Sequence, residues 1–249
     1  LSPANPRAPG RGVPGNRWHL FTFPLLLLSA WGAPGLHLLP QAESMARDVA
    51  YLSMTIGPRP AGSSAERRAA DYLAGRFARL GFPVKIQQFR LPNGRTSANV
   101  LAGPAGRRPR LIIGGHYDSR PGAPGADDNA SGIAAILEAA RALGPAGEEI
   151  LFIAFGSEER IDANRDHHHY GSRHFVRSAP RASLAGLAGM ICVDCVGTGK
   201  RFCIQGMRSD GGRFARLCRA AAWQNGARPS GGWANLLSDH EPFGRAGVP

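Results

Sequence analysis

The chain has 249 residues, of which 43% are hydrophobic and 8% aromatic, and its formal net charge is +12 at pH 7. This length and composition fit a folded, loop-rich globular protein with one sizeable core. Nearly all the positive charge comes from arginines that are scattered along the chain, so we expect no nucleic-acid partner. The 4 cysteines are too few to act as a disulfide framework.

The first 40 residues are interpreted as a leader. Residues 1–19 are rich in Pro, Gly and Arg and do not begin with methionine, so residue 1 is not expected to be the natural start. The apolar run at 20–33 follows this basic stretch and ends in small residues, which resembles a secretory signal peptide or an N-terminal anchor. Pro24 and Pro34 interrupt the run. We expect an exported protein, periplasmic, extracellular or membrane-anchored; the alternative is a helix packed on the domain.

Helical and strand patterns alternate after this leader. Apolar residues at helical spacing predict a helix over 41–54, which Gly-Pro-Arg-Pro at 57–60 ends. Ser63 and Glu66 form a capping box that begins a second helix, and Gly81 stops it. Further strands are predicted at 84–91, 97–103, 111–115, 149–155, 190–196 and 202–207, with further helices at 131–143 and 210–224. This alternation indicates a sheet between layers of helices.

Cys192 and Cys195 have the spacing of a zinc or redox pair. The segment ICVDCVG, however, resembles a buried strand, in which residues three apart point to opposite faces, so we expect both thiols in the core. The sequence leaves open whether Cys203 and Cys218 form a disulfide.

Acidic and imidazole side chains follow the predicted strands at four places. Ligands of an open α/β sheet bind beyond the carboxyl ends of its strands, so we expect these side chains to converge on one crevice. Several carboxylates in one place repel each other unless a cation lies among them. One imidazole with many carboxylates suits a transition metal such as zinc and suggests two ions. The clusters are His116 with Asp118, Asp127 with Asp128, Glu158 with Glu159, and Asp194.

Five short motifs occur in order along the chain: HYDS, GADDNASG, FGSEE, VDCVG, and SDHEPF followed by AGVP. Together they resemble the co-catalytic zinc aminopeptidases of peptidase family M28, over about residues 41–249. The resemblance implies one catalytic domain in this range. It also implies an α/β fold, a three-layer αβα sandwich around a mixed, mainly parallel sheet.

The resemblance also implies a set of zinc ligands. His116 and Asp194 would hold one zinc, Asp128 would bridge both ions, and Glu159 would hold the second. Asp127, beside the bridging residue, is expected to be a turn residue rather than a ligand.

The same resemblance makes Glu158 the general base, which takes a proton from the water that bridges the metals and passes it to the leaving amine. Neighbouring residues of an extended segment point in opposite directions, so Glu159 can bind metal while Glu158 faces the water. Asp118 would accept the other ring N–H of His116 and fix its tautomer.

Two segments depart from the family pattern. The link at 160–170 is longer than usual and contains His167, His168 and His169; we expect a polar loop bordering the cleft, and a further metal site is the alternative. The family's last histidine ligand would follow Pro249, so the chain is expected to be a fragment that holds the second zinc poorly and shows weak activity.

Asp239 and His240 lie in the late SDHEPF motif. We interpret them as residues that support the ligands or contact the substrate, because the family position of His240 is not invariably histidine.

The leading functional hypothesis is a zinc-dependent aminopeptidase acting on peptides. A glutaminyl cyclase, which typically uses one zinc, is the first alternative, since that branch resembles this chain in HYDS, in the Glu-Glu pair and in SDH. A non-catalytic receptor or scaffold of the same fold is the second. The sequence predicts neither the substrate side chain that the enzyme prefers nor the oligomeric state of the protein.

Overall fold

The computed structural model describes residues 41–103, 108–145, 149–164, 167–199, 202–207, 212–233 and 237–249. The predicted leader, with its apolar run at 20–33, lies outside them. Within the described ranges, no helix is both long enough and apolar enough to cross a bilayer.

Helices and strands alternate along the described residues, as the sequence predicts, although the helices at 170–178, 181–185 and 240–245 were not predicted. The helices are α1 (Ala42–Ala50), which continues into a π-helical turn (Tyr51–Ile56), α2 (Ser64–Arg79), α3 (Gly132–Leu143), α4 (Tyr170–Ser178), α5 (Arg181–Ala185), α6 (Arg213–Gln224) and α7 (His240–Arg245). The strands are β1 (Val84–Arg90), β2 (Thr96–Ala102), β3 (Leu111–His116), β4 (Ile150–Phe155), β5 (Gly189–Cys192), β6 (Cys203–Gly206) and β7 (Ser230–Trp233).

The start of α2 shows how local sequence sets an element. Ser63 Oγ accepts a hydrogen bond from the backbone N–H of Glu66 at 3.0 Å, as the capping box predicts. The Glu66 carboxylate reaches back one residue further than expected and accepts from Gly62 N–H at 2.6 Å. The helix is followed by Gly81, whose φ of 86° favours glycine.

The central sheet has five strands in the order β1-β2-β4-β3-β5. β1 pairs with β2, and β2 with β4, in antiparallel fashion, whereas β3 pairs in parallel with both β4 and β5. The sheet is therefore mixed, and parallel pairing is confined to β4, β3 and β5. The carboxyl ends of these three strands lie at one edge, where the polar clusters were predicted to meet.

Alternate residues of the central strands pack on opposite sides of the sheet. Ile113 and Phe152 belong to an apolar core that they share with α2 and α3. Ile112 and Ile153 belong to a second core, which they share with α4, α5 and α7. Both faces are therefore covered by helices, and the predicted three-layer sandwich is confirmed.

β5 is shorter than predicted. It ends at Cys192, and the chain then turns away, so Asp194 lies beyond the strand rather than within it. Cys195 is exposed with a φ of 51°, so the prediction that both cysteines lie in the core is wrong for Cys195. The physical reason is the buried Asn129 side chain, which holds the backbone at Val193 and Cys195.

β6 lies outside the central sheet. It pairs in parallel with β7 and packs beside α6. In the described structure, no disulfide joins Cys203 to Cys218.

Candidate metal centre and active site

Each strand of the parallel part of the sheet delivers one polar cluster to the same edge. His116 is the last residue of β3, the pair Glu158 and Glu159 follows β4, and Asp194 follows β5. The turn before α3 brings Asp128 to the same place, and the peptide bond after Asp128 is cis. The structure brings ligand atoms of His116, Asp128 and Asp194 together, as predicted, whereas Glu159 is not a member of that group of ligand atoms.

Two carboxylates face the same ring nitrogen of His116. Nε2 lies 3.1 Å from Asp128 Oδ1 and 3.6 Å from Asp194 Oδ1. The imidazole is 1% exposed, so the arrangement is buried. Burial opposes a charge on the ring, but the charge of Glu158 and the contacts with three aspartates raise the pKa of His116 well above its usual value.

This arrangement fits a divalent metal ion. One imidazole nitrogen carries at most one proton and makes one good hydrogen bond, yet two carboxylates converge on it. The ligand atoms of His116, Asp128 and Asp194 lie within 4.8 Å of one another. Asp194 Oδ1 is buried, and no partner among the described residues meets hydrogen-bond geometry with it. A nitrogen and carboxylate oxygens suit zinc.

Asp118 joins the ends of two strands. Its carboxylate accepts hydrogen bonds from the backbone N–H groups of Glu158 at 2.9 Å and Glu159 at 3.1 Å. Its Oδ1 also lies 3.4 Å from His116 Nδ1, the ring nitrogen away from Asp128. Asp118 is fully buried and fixes the backbone of the glutamate pair, whereas its role in orienting His116 stays a prediction, because His116 Nδ1 has no partner with hydrogen-bond geometry among the described residues.

The two adjacent glutamates point to different partners, as expected. Glu158 Oε1 lies 3.0 Å from a histidine nitrogen, Nε2 of His169. Glu159 Oε2 accepts a hydrogen bond from Arg120 Nε at 3.0 Å, and its buried Oε1 has no partner in the described ranges. Burial raises the pKa of Glu159 to about 7, aided by nearby carboxylates and opposed by Arg120. A cation near Oε1 would lower that pKa again.

The turn that carries Asp128 is tied to the segment that carries Asp194. Asn129, fully buried, donates to Val193 O at 2.9 Å and accepts from Cys195 N–H at 3.2 Å. Asp127 accepts from Gly197 N–H at 2.7 Å and so connects this turn to the segment after Asp194, and the expectation that it is not a ligand stays a prediction.

Arg59 is a buried residue that the sequence analysis did not single out. It is 0% exposed and donates to the backbone carbonyls of Tyr117, Pro124 and Gly125 at distances of 2.5 to 2.8 Å. Burial lowers the pKa of Arg59 to about 10, while Asp118 and Asp128 oppose the shift, so it stays charged near neutral pH. Arg59 thus braces the loop between His116 and Asp128. The only signal in the sequence is an arginine between two prolines.

The run of three histidines differs in part from the polar loop bordering the cleft that we predicted. His167 contacts Asp162 at 2.6 Å and is partly exposed, whereas His169 is 1% exposed. His169 Nδ1 lies 2.9 Å from Glu241 Oε2, on the opposite side of the ring from Glu158. The prediction is wrong for His169, because the backbone N–H groups of residues 169–171 donate to the carbonyl oxygens of residues 156–158, just after β4, and carry His169 inward.

Asp239 and His240 lie at the start of α7, next to these groups. Asp239 is fully buried, and neither of its carboxylate oxygens has a partner with hydrogen-bond geometry in the part of the chain described here. Burial raises the pKa of Asp239 to about 7, with a further contribution from Glu158. Burial lowers the pKa of His240. Both residues adjoin the predicted site, and their roles stay predictions.

The comparison with known families agrees with this geometry. The model of peptidase family M28 matches residues 99–249, which contain all the site residues that the sequence predicted. The chain belongs to peptidase family M28. Among curated relatives, aminopeptidase YwaD of Bacillus subtilis (strain 168) is 33% identical to this M28 chain over 144 residues, which cover 55% of this chain and 30% of the relative.

Solved structures show the same fold. BSAP, a zinc aminopeptidase from Bacillus subtilis, superposes with a TM-score of 0.75 at 21% identity, over 85% of the M28 chain and 84% of its own. The glutaminyl cyclase of Porphyromonas gingivalis superposes with a TM-score of 0.68 at 26% identity, over 84% and 81% of the two chains. The curated relatives are longer proteins, and the matched regions span about a third to a half of them.

Proposed function

We propose that this protein is a zinc-dependent exopeptidase, an aminopeptidase that releases N-terminal residues from peptides. The observation that carries the proposal is the convergence of His116, Asp128 and Asp194 beside Glu158 at one edge of the sheet. Membership of family M28 and the similarity to an enzyme named as an aminopeptidase support it.

The donor set suggests how the zinc ions are held. His116, Asp194 and Asp128 would hold one zinc, and Asp128 with Glu159 would contribute to a second. When bound, zinc would polarise the scissile carbonyl and lower the pKa of the attacking water. The buried, unpartnered Oε1 of Glu159 supports its use as a ligand.

The remaining steps belong to side chains of the protein. Glu158 takes a proton from water as the water oxygen bonds to the carbonyl carbon, and it returns that proton to the amine nitrogen as the C–N bond breaks. Asp118 accepts from the Glu158 and Glu159 backbone, so the base keeps its place relative to His116.

Hydrolysis of aminoacyl p-nitroanilides by the purified full-length protein tests the proposal. We expect activity that is lost with a chelator and restored by zinc. Glu158→Gln keeps the size of the side chain but removes the base, so kcat should fall about 10²- to 10⁴-fold, with zinc content unchanged. Activity that survives Glu158→Gln would contradict the assignment.

A glutaminyl cyclase is the second candidate, because the Porphyromonas gingivalis enzyme of that name shares the fold and is 26% identical. Incubation with a glutaminyl peptide distinguishes the two functions. Ammonia release and a pyroglutamyl product would favour the cyclase, as would a single zinc per full-length chain, whereas release of free glutamine favours the aminopeptidase.

A further inference from the structure

His169 occupies an unusual position beside the proposed base. It immediately precedes α4 and has a φ of 54°, a left-handed conformation that few non-glycine residues adopt. Its backbone N–H donates to the carbonyl oxygen of Glu158 at 2.8 Å, and Tyr170 N–H donates to Ser157 O at 2.9 Å. The backbone at His169 is therefore fixed directly on the backbone of Glu158.

The imidazole of His169 also contacts the side chain of Glu158. Nε2 lies 3.0 Å from Glu158 Oε1, and Nδ1 lies 2.9 Å from Glu241 Oε2. Arg245 Nε in turn donates to the other Glu241 oxygen at 2.9 Å. A continuous set of contacts thus runs from the exposed side chain of Arg245 through Glu241 and His169 to Glu158.

A metal site is the competing interpretation of this cluster, because ligand atoms of His168, His169 and Glu241 lie within 4.8 Å of one another. Both nitrogens of His169, however, already face a carboxylate oxygen at hydrogen-bonding distance. When both nitrogens donate to these oxygens, neither keeps a lone pair for a metal. The geometry favours a hydrogen-bonded histidine.

Both ring nitrogens face acceptors, so the ring donates on both sides when it carries two protons. Burial disfavours that charged form, but Glu158, Asp239 and Glu241 more than offset it and raise the pKa of His169. Glu241 is also held by Arg245, so the ring has little freedom to rotate.

We propose that His169 is a positioning residue that holds one carboxylate oxygen of Glu158, so that the other oxygen is presented to the attacking water. The inference rests on the proposed role of Glu158 as the base. Glu241 acts one step further away, because it fixes the orientation of the His169 ring. A base held at one oxygen needs no reorientation before it takes the proton.

Two substitutions of His169 separate positioning from a merely structural role. The amide nitrogen of a glutamine reaches about as far as Nε2 and can still donate to Glu158, whereas asparagine is shorter and reaches only the position of Nδ1. Asparagine, however, tolerates a positive φ better than glutamine. If the role of His169 is only structural, His169→Asn should be the more active variant. If His169 positions Glu158, His169→Gln should be the more active variant.

The experiment measures kcat, KM, zinc content and thermal stability for both variants in the full-length protein. We expect His169→Asn to lower kcat about 10²-fold, the cost of misplacing a reacting group by about 1 Å, with KM and zinc content unchanged. His169→Gln should keep most of kcat while being the less stable variant. His167→Gln, a matched change at a partly exposed histidine, should leave all four quantities unaltered.

The outcomes separate this inference from the proposed function. Activity of His169→Asn equal to or above that of His169→Gln would overturn the positioning role, whereas an inactive wild-type protein would overturn the proposed function instead. Glu241→Leu gives the decisive result if neither His169 variant folds. A fall in kcat at unchanged KM supports the proposal, and an unchanged kcat contradicts it.

Discussion

His116 and His169 are both buried histidines between carboxylates, and they differ in how many carboxylates face each nitrogen. At His116, Nε2 faces Asp128 and Asp194 together, which one hydrogen bond cannot satisfy. At His169, each nitrogen faces one carboxylate, so the contacts are complete without a further partner. Excess acceptors on one nitrogen therefore indicate a metal site, and matched acceptors indicate a hydrogen-bonded positioning group.

The largest effect that tests this comparison should follow removal of the first histidine. His116→Ala takes away the only nitrogen donor of the described metal cluster, so we expect zinc binding to weaken by more than the 10- to 100-fold that is typical of losing a supporting residue. Hydrolysis should fall to background. Zinc content by elemental analysis and binding by titration measure the change.

The control for that variant is His174→Ala, which removes a histidine that stacks on Phe89 away from the cluster. It should retain full zinc content. A His116→Ala protein that still holds zinc as tightly as the wild type would show that excess carboxylates do not mark the metal site.

A smaller effect is expected from Asp118, the residue predicted to orient His116. Asp118→Asn keeps the shape of the side chain but replaces one acceptor oxygen with a donor, which opposes either the backbone N–H of the glutamate pair or His116 Nδ1. Zinc affinity should fall about 10- to 100-fold, measured by competition with a chromophoric chelator. An unchanged zinc affinity would mean that Asp118 only fixes the backbone of Glu158 and Glu159 and does not orient His116.

The smallest effect on turnover is expected at Glu66, a buried carboxyl that contacts neither His116 nor His169. Glu66 accepts from the hydroxyls of Ser97 and Ser157, and burial raises its pKa to about 8, with a contribution from Asp118. Because the pKa of Glu66 is raised in the folded protein, its protonated carboxyl contributes to the free energy of unfolding. This contribution is fully present below the usual glutamate pKa near 4.5 and is lost as the pH rises through about 8.

Glu66→Gln removes this dependence, because the amide stays neutral and the two hydroxyls can accept as well as donate. Between pH 5 and 8 (roughly), the free energy of unfolding of the wild type should therefore decline relative to the variant, by at most about 1.4 kcal/mol per pH unit. Denaturant unfolding of chelator-treated protein at several pH values measures the difference. Parallel curves would show that Glu66 is ionised throughout.

The sequence predicted that polar clusters would meet at this edge because His116 and Asp194 follow apolar strands, and the carboxyl ends of these strands lie at one edge of the sheet. Element order and residue type predicted that the clusters meet, whereas the choice of His116, Asp128 and Asp194 within them came from the resemblance to family M28. The end of β5 was misplaced because Asn129, distant in sequence, turns the chain at Val193.

The second histidine site could not be predicted in the same way. His169 faces inward because backbone hydrogen bonds tie the start of α4 to the end of β4. Its partner Glu241 is 72 residues away along the chain. A run of three histidines gives no local signal for which ring is buried. Arg59 was missed for the same reason, since its acceptors belong to a distant loop.

Arg59 has one further consequence for how this fold can change over time. Its guanidinium binds main-chain oxygens of the loop rather than side chains, with Tyr117, Pro124 and Gly125 supplying carbonyls. A main-chain acceptor is present whatever side chain the residue carries. The exposed side chain of Pro121 is therefore free to vary beside the candidate site without disturbing the acceptors of Arg59. Arg120 is not, because its Nε donates to Glu159. Change at this rim can thus be separate from change in the groups beneath it at one position and linked to them at the next.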